Sequence, residues 1–261
     1  MVTKGLLRDC VYGQAVGDAL GVPFEFRKRG TFECTDMVGY GSHHKPAGTW
    51  SDDTSMTLAT CDSIRELGRI DVADMRRRFV RWRRDDEYTV DGLFDIGGAT
   101  DRALERGRGC SGESDNGNGS LMRILPLAFV DATDEEVCAV SAITHAHAIS
   151  CEACVRMVHV ARRLIAGETP RDVAGDLVGV DSDEVPSSGF VRHTYKAALW
   201  CLVNTDSYED CVRLAVNLGS DTDTTAAVAG GLAGIVYGIE AIPAEWMEAL
   251  RGKDIIERCL F

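Results

Sequence analysis

The stretch from about Thr224 to Ile239 holds no charged residue and is built largely from Ala, Gly and aliphatic side chains. At ~1.5 Å rise per residue, a helix of that length falls short of the ~30 Å hydrocarbon core of a bilayer. A helix that is apolar on every side must instead be covered by protein on every side. Its small residues let neighbouring backbones come close. The chain therefore has to fold around this segment as a buried helix.

Elsewhere the apolar residues recur with helical period. Leu7, Cys10, Val11 and Ala15 fall at i, i+3, i+4 and i+8 and run into Gly17-Asp18-Ala19-Leu20-Gly21. Val72, Met75, Phe79 and Trp82 mark one face of a further helix. Its other face carries Arg76, Arg77, Arg78, Arg81, Arg83 and Arg84, in the spacing of a solvated amphipathic surface. The same period predicts helices over Asp134–Ile143, Ile149–Ala166, Val191–Cys201, Tyr208–Asn217, Thr224–Tyr237 and Ala244–Leu250. No alternating strand, internal repeat or low-complexity linker interrupts them. The expectation is one all-α domain over residues 1–261, a length that a single core can serve.

A formal charge of −13 argues against general nucleic-acid or anionic-membrane binding, because phosphate backbones need clustered cations. The ten cysteines are scattered, and the pair in Cys151-Glu152-Ala153-Cys154 has no second pair to complete a zinc site. Free buried thiols in a reducing compartment are expected. The start of the chain, Met1 to Asp9, lacks the apolar core of a signal peptide. A soluble, cytoplasmic protein is the resulting expectation.

Two acidic clusters carry the chemistry. Ser51-Asp52-Asp53-Thr54 and Asp221-Thr222-Asp223-Thr224 each follow a Gly-containing turn and open an apolar stretch. Ser, Thr and Asp are also preferred helix caps, so capping is the alternative reading of each. One cap needs one side chain, however, and each cluster supplies two carboxylates with hydroxyls beside them. Brought together, they form an all-oxygen donor set for two hard cations such as Mg²⁺ or Mn²⁺, the equipment of metal-assisted hydrolysis.

Three further segments stand out. In Gly13–Glu25 the glycines fit no dinucleotide fingerprint and suit close packing followed by a turn that presents Glu25. The segment Ser111–Arg123 is rich in Gly and Asn, which tolerate the backbone conformations that turn N–H groups around an anion; a plain surface turn is the alternative. In Thr144-His145-Ala146-His147 the i, i+2 spacing excludes a shared helix face, so His145 either lines a pocket or is structural.

Taken as a set, these residues resemble the ADP-ribosylglycohydrolase family, of the type that includes dinitrogenase reductase-activating glycohydrolase. The matching pieces are Gly17–Gly21, Trp50–Thr54, Asn118–Arg123, Thr144-His145, Ser188–Val191, Ala197–Trp200 and Ala215–Thr224, in family order over nearly the whole chain. The resemblance implies an orthogonal all-α bundle with two Mg²⁺ or Mn²⁺ ions in a cleft, held by Ser51, Asp52, Asp53, Asp221, Asp223 and Thr224. It places Glu25 as an acid near the metals, Gly117, Asn118, Gly119 and Ser120 along an ADP-ribose cleft, His145 nearby, and Asp95 near the leaving group. Ala146 after Thr-His and Ser120 in the loop depart from the usual pattern.

The implied reaction is hydrolysis of ADP-ribose from a modified protein side chain, with ADP-ribose as product and Asp53, Asp223 or Glu25 as base. An arginine linkage is favoured, because a guanidinium departs as neutral guanidine, whereas an O-linked serine needs a general acid. Another linkage, a two-metal phosphoester or pyrophosphate hydrolase, and a non-catalytic ADP-ribose-binding module are the alternatives.

Overall fold

The computed structural model describes residues 2–261, with residues 2–4 as backbone only; Met1, which opens the stretch read above as lacking a leader's apolar core, lies outside the described residues. In chain order the helices are α1 (Val2–Gly21), α2 (Asp52–Leu67), α3 (Val72–Asp85), α4 (Gly98–Arg106), α5 (Asp134–Ser141) and α6 (Ala148–Ile165). They continue with α7 (Pro170–Ala174), α8 (Val191–Val203), α9 (Tyr208–Asn217), α10 (Thr222–Tyr237), α11 (Ala244–Ala249) and α12 (Lys253–Cys259). Among the described residues there is no strand, only isolated bridges from Cys110 to His145 and from Gly117 to Phe190. No helix among them is long and apolar enough to cross a membrane.

The uncharged segment is α10, and every residue in it from Thr222 to Ile235 is buried. It packs against α1, backbone on backbone. A Cβ on Gly13 would overlap the carbonyl of Gly230, and one on Gly17 would overlap that of Ala226. Gly21 continues the same i, i+4 stripe and meets the main chain of Asp223. Helices pressed this closely leave no room for a side chain in the seam, so the stripe fixes their register. The end of α1 is thereby held beside the acidic start of α10.

The predicted helices occur, with ends shifted by one or two residues. Four escaped the periodicity, the 16-residue α2 and the shorter α4, α7 and α12. The first turn of α7 did carry a signal, since Thr169 and Asp172 form a reciprocal capping box around Pro170. One expectation is corrected. Arg78 belongs to no solvated face, being only 4% exposed. Its guanidinium donates to Asp74 (2.6 Å), Glu66 (2.7 Å), Asp62 and the Tyr88 hydroxyl. Asp62 and Glu66 stand one turn apart on α2, which lets them take up an arginine from α3. Arg77, Arg81 and Arg84 are exposed as expected.

Candidate active site

The first cluster sits at the start of α2. Trp50 is buried and anchored by its indole N–H to the Tyr88 carbonyl at 3.1 Å. Ser51 is the N-cap: its Oγ accepts from the Asp53 N–H at 3.3 Å and donates to Asp53 Oδ2 at 3.2 Å. Capping is thus met by Ser51, and the carboxylates of Asp52 and Asp53 are left over. The turn is held from below by Asp18, fully buried on α1. Its carboxylate accepts from the N–H of Ser51 (2.9 Å), the N–H of Thr54 (3.0 Å) and the Thr54 hydroxyl (2.6 Å). Gln14, one turn earlier, donates to Thr57 Oγ1 and to the carbonyls of Asp53 and Met122. Neither Asp18 nor Gln14 was singled out as functional in the sequence, because one polar residue on an apolar helix carries no period.

The second cluster opens α10. Asp221 stands at the N-cap position, yet its side chain caps nothing; it accepts instead from Asn118 Nδ2 at 2.7 Å. Thr222 donates to the Gly21 carbonyl at 2.8 Å. The Thr224 hydroxyl donates to Asp53 Oδ2 at 3.2 Å, which joins the two clusters directly. Carboxylate oxygens of Glu25, Asp221 and Asp223 lie within 4.8 Å of one another, and those of Glu25 and Asp95 lie within that distance of His43. Glu25, read from the sequence as the residue a turn presents, is buried and hydrogen-bonded to Nε2 of His43, a residue the sequence reading did not single out. The Glu25 loop is spliced to the second cluster: the Phe26 N–H donates to Ser220 O and the Ser220 N–H to Arg27 O, both at 2.7 Å. Phe26 and Ser220 each adopt positive φ, 65° and 66°.

So many buried acids repel one another. Burial, reinforced by neighbouring carboxylates, pushes Asp52, Asp53 and Asp223 well above the usual carboxylate range. Burial also raises Asp221 and lifts Glu25 to about 7, the latter against the opposing hydrogen bond from His43. Asp18 rises to about 6 through burial despite its donors. Asp53 Oδ1 and both carboxylate oxygens of Asp223 are buried with no hydrogen-bond partner. Buried polar atoms are rarely left this way, and hard cations are what such oxygens suit. The donor set therefore fits divalent metal.

Above the acids lies a cleft of about 430 Å³, lined by Glu25, Phe26, Asp52, Asp95, Gly117, Asn118, Gly119, His145, Gly189, Asp221 and Thr224 among others. Ser51, Asp53 and Asp223 lie beneath its floor. Ser120 lies behind the wall, where its hydroxyl sits 2.9 Å from that of Ser141 and accepts from Cys154. Asn118 ties the wall together through Thr194 and Asp221. His145 is 2% exposed, and burial lowers its basicity to a pKa of about 3, so the ring is neutral. His147 faces elsewhere and N-caps α6. All ten cysteines are free thiols.

The family model for ADP-ribosylglycohydrolase matches residues 3–260. The chain is 35% identical to the ADP-ribosylarginine hydrolase Tri1 of Pseudomonas putida, over 96% of this chain and 76% of that one. It is 34% identical to the ADP-ribosyl-dinitrogen reductase glycohydrolase of Rhodospirillum rubrum, over 92% and 88%. Among solved structures, an ADP-ribosylglycohydrolase-related protein complex superposes with a TM-score of 0.83 at 33% identity, covering 98% of this chain and 96% of that one.

Proposed function

The chain belongs to the ADP-ribosylglycohydrolase family and is an ADP-ribosyl glycohydrolase, and from that premise we propose that it hydrolyses the N-glycosidic bond of ADP-ribosyl-arginine on modified proteins, using two divalent ions, Mg²⁺ or Mn²⁺. The observation that carries this reading is the convergence of the two clusters, with Thr224 bonded to Asp53 and the oxygens of Asp223 left without a donor. Ser51, Asp52, Asp53, Asp221, Asp223 and Thr224 would hold the ions. Once bound, they supply Lewis acidity toward the ribose hydroxyls and a hydrolytic water.

The chain's own groups do the rest. Of the three candidate bases only Glu25 lines the cleft; Asp53 and Asp223 are buried below it. Burial raises the Glu25 carboxyl in the metal-free protein, and its hydrogen bond with His43 Nε2 orients it to take the proton of the water. The surrounding carboxylates stabilise the positive charge that grows on the ribose as the glycosidic bond breaks. Asp95 and the exposed ring of Phe26 stand at the mouth of the cleft, a setting suited to a planar cation such as guanidinium. Departure as neutral guanidine then needs no strong acid. ADP-ribosylated protein is the substrate, ADP-ribose the product.

Incubation with ADP-ribosyl-arginine and ADP-ribosyl-serine peptides, in Mg²⁺, in Mn²⁺ and in chelator, tests the reading by product mass. Metal-dependent release of ADP-ribose and intact arginine peptide is expected. Release from serine alone overturns the linkage, and AMP as product would mean phosphoryl cleavage.

A further inference from the structure

Arg123 is fully buried, and nothing in the reaction so far uses it. Its guanidinium lies 4.5 Å over the Phe79 ring, and its Nε and Nη1 find no partner. A buried cation left half satisfied is destabilising. What it does make is specific: Nη2 donates to the Thr144 hydroxyl at 2.9 Å and to the Val140 carbonyl at 3.3 Å. Arginine has no acceptor, so it can only donate to Thr144. The Thr144 oxygen in turn lies 2.9 Å from His145 Nδ1.

The direction of that second bond follows from the surroundings. Thr144 is fully buried, and among the described residues the only acceptor in reach of its hydroxyl proton is His145 Nδ1. A proton on Nδ1 would leave the hydroxyl hydrogen orphaned in the core. Thr144 therefore donates, Nδ1 accepts, and the neutral imidazole carries its proton on Nε2. The main chain keeps the ring in place, with the His145 N–H on Ser141 O at 2.9 Å and the Ser141 hydroxyl on His145 O at 3.1 Å. Among the described residues Nε2 meets no acceptor. It lies beside Gly117 and Gly119, where an added Cβ would come 3.4 and 3.5 Å from it, on the wall of the cleft.

We infer that Arg123 and Thr144 are positioning residues that set the tautomer of His145, so that its Nε2–H is a fixed donor to an anionic oxygen of the ligand in the cleft. The ligand assignment, a phosphate oxygen of ADP-ribose, rests on the function proposed above; the tautomer does not. The relay keeps the histidine a donor without making it a cation, so the wall recognises the ligand without altering the charge beside the acids.

Nitrogen chemical shifts of ¹⁵N-histidine-labelled protein read the tautomer directly. A protonated Nε2 with a bare Nδ1 is expected for His145. Thr144→Val keeps the shape of the side chain and removes the hydroxyl, so both tautomers should appear and affinity for ADP-ribose, by calorimetry, should fall about tenfold, near 1.4 kcal/mol. Thr144→Ser should restore both. Arg123→Lys, should it fold, gives a second reading of the same shifts. A protonated Nδ1 in the parent protein overturns the relay, as does Thr144→Val binding ADP-ribose unchanged. Failure of the parent to bind ADP-ribose would count against the functional reading, while the nitrogen shifts still decide the relay.

Discussion

Gly21 lies against the main chain of Asp223 so closely that a Cβ on the glycine would fall 2.6 Å from the aspartate's amide nitrogen. The tail of α1 thus sets the height of the acid that no protein donor satisfies.

Gly21→Ala should therefore push the first turn of α10 away from α1. We expect overpacking to cost about 1–3 kcal/mol and Mn²⁺ affinity to fall by more than that loss alone explains. Gly17→Ala, one turn away, should destabilise comparably and spare the metal more. Calorimetric titration with Mn²⁺ and thermal melts of both variants separate the effects; equal losses of affinity would contradict the relationship.

Asp223→Asn should remove turnover, yet stabilise the protein in chelator. The substitution deletes a charge that burial and its neighbours oppose. The parent protein should in turn gain stability when ions are added, about 2.7 kcal/mol at a hundredfold excess over the dissociation constant. A variant that melts below the parent in chelator would count against the crowding of charge.

The metal-free protein should become less stable as pH rises from the ordinary carboxylate range to about 7. The sign follows from the shifts. Glu25 and Asp18 hold protons more tightly when folded, to about 7 and about 6, so the folded state binds more protons than the unfolded one across that window. Their stabilisation is complete at low pH and lost as pH climbs through the folded values. The raised pKa of His43, from its hydrogen bond with Glu25, acts in the same direction. Denaturant melts in chelator at several pH values measure it; saturating Mg²⁺ or Mn²⁺ should flatten the slope.

Asp18→Ala should leave the donors of Ser51 and Thr54 unpaired, at about 1–3 kcal/mol for each buried group. Metal affinity should drop although Asp18 is not among the proposed ligands. Unchanged Mn²⁺ binding in the folded variant would mean that the start of α2 holds itself.

Arg78→Met tests the opposite case. Removing one partner from a buried ionic cluster costs about 3–5 kcal/mol, but the cluster serves α2 and α3 far from the cleft. Kinetic constants at a temperature where the variant is folded should match the parent's.

What could be read from the sequence followed physical type. The uncharged run that became α10 has no other place than a core, and two carboxylates beside hydroxyls exceed what one helix cap needs whatever the fold. Asp18 was invisible because its role lies in three donors supplied by a turn more than thirty residues away. His43 finds Glu25 only through the loop that returns it to the cleft. Arg78 was misread because periodicity sorts side chains by face and ignores the partner helix; Asp62 and Glu66, spaced i, i+4 on α2, were the available sign.

The paired hydrogen bonds between the Phe26–Arg27 backbone and Ser220 have a mechanical consequence. Glu25 and Asp221 each adjoin a residue of that splice, so their main chains travel as one piece, as two blades share a rivet. Any separation of the Glu25 carboxylate from Asp221 is therefore left to rotation about the side-chain bonds of the glutamate.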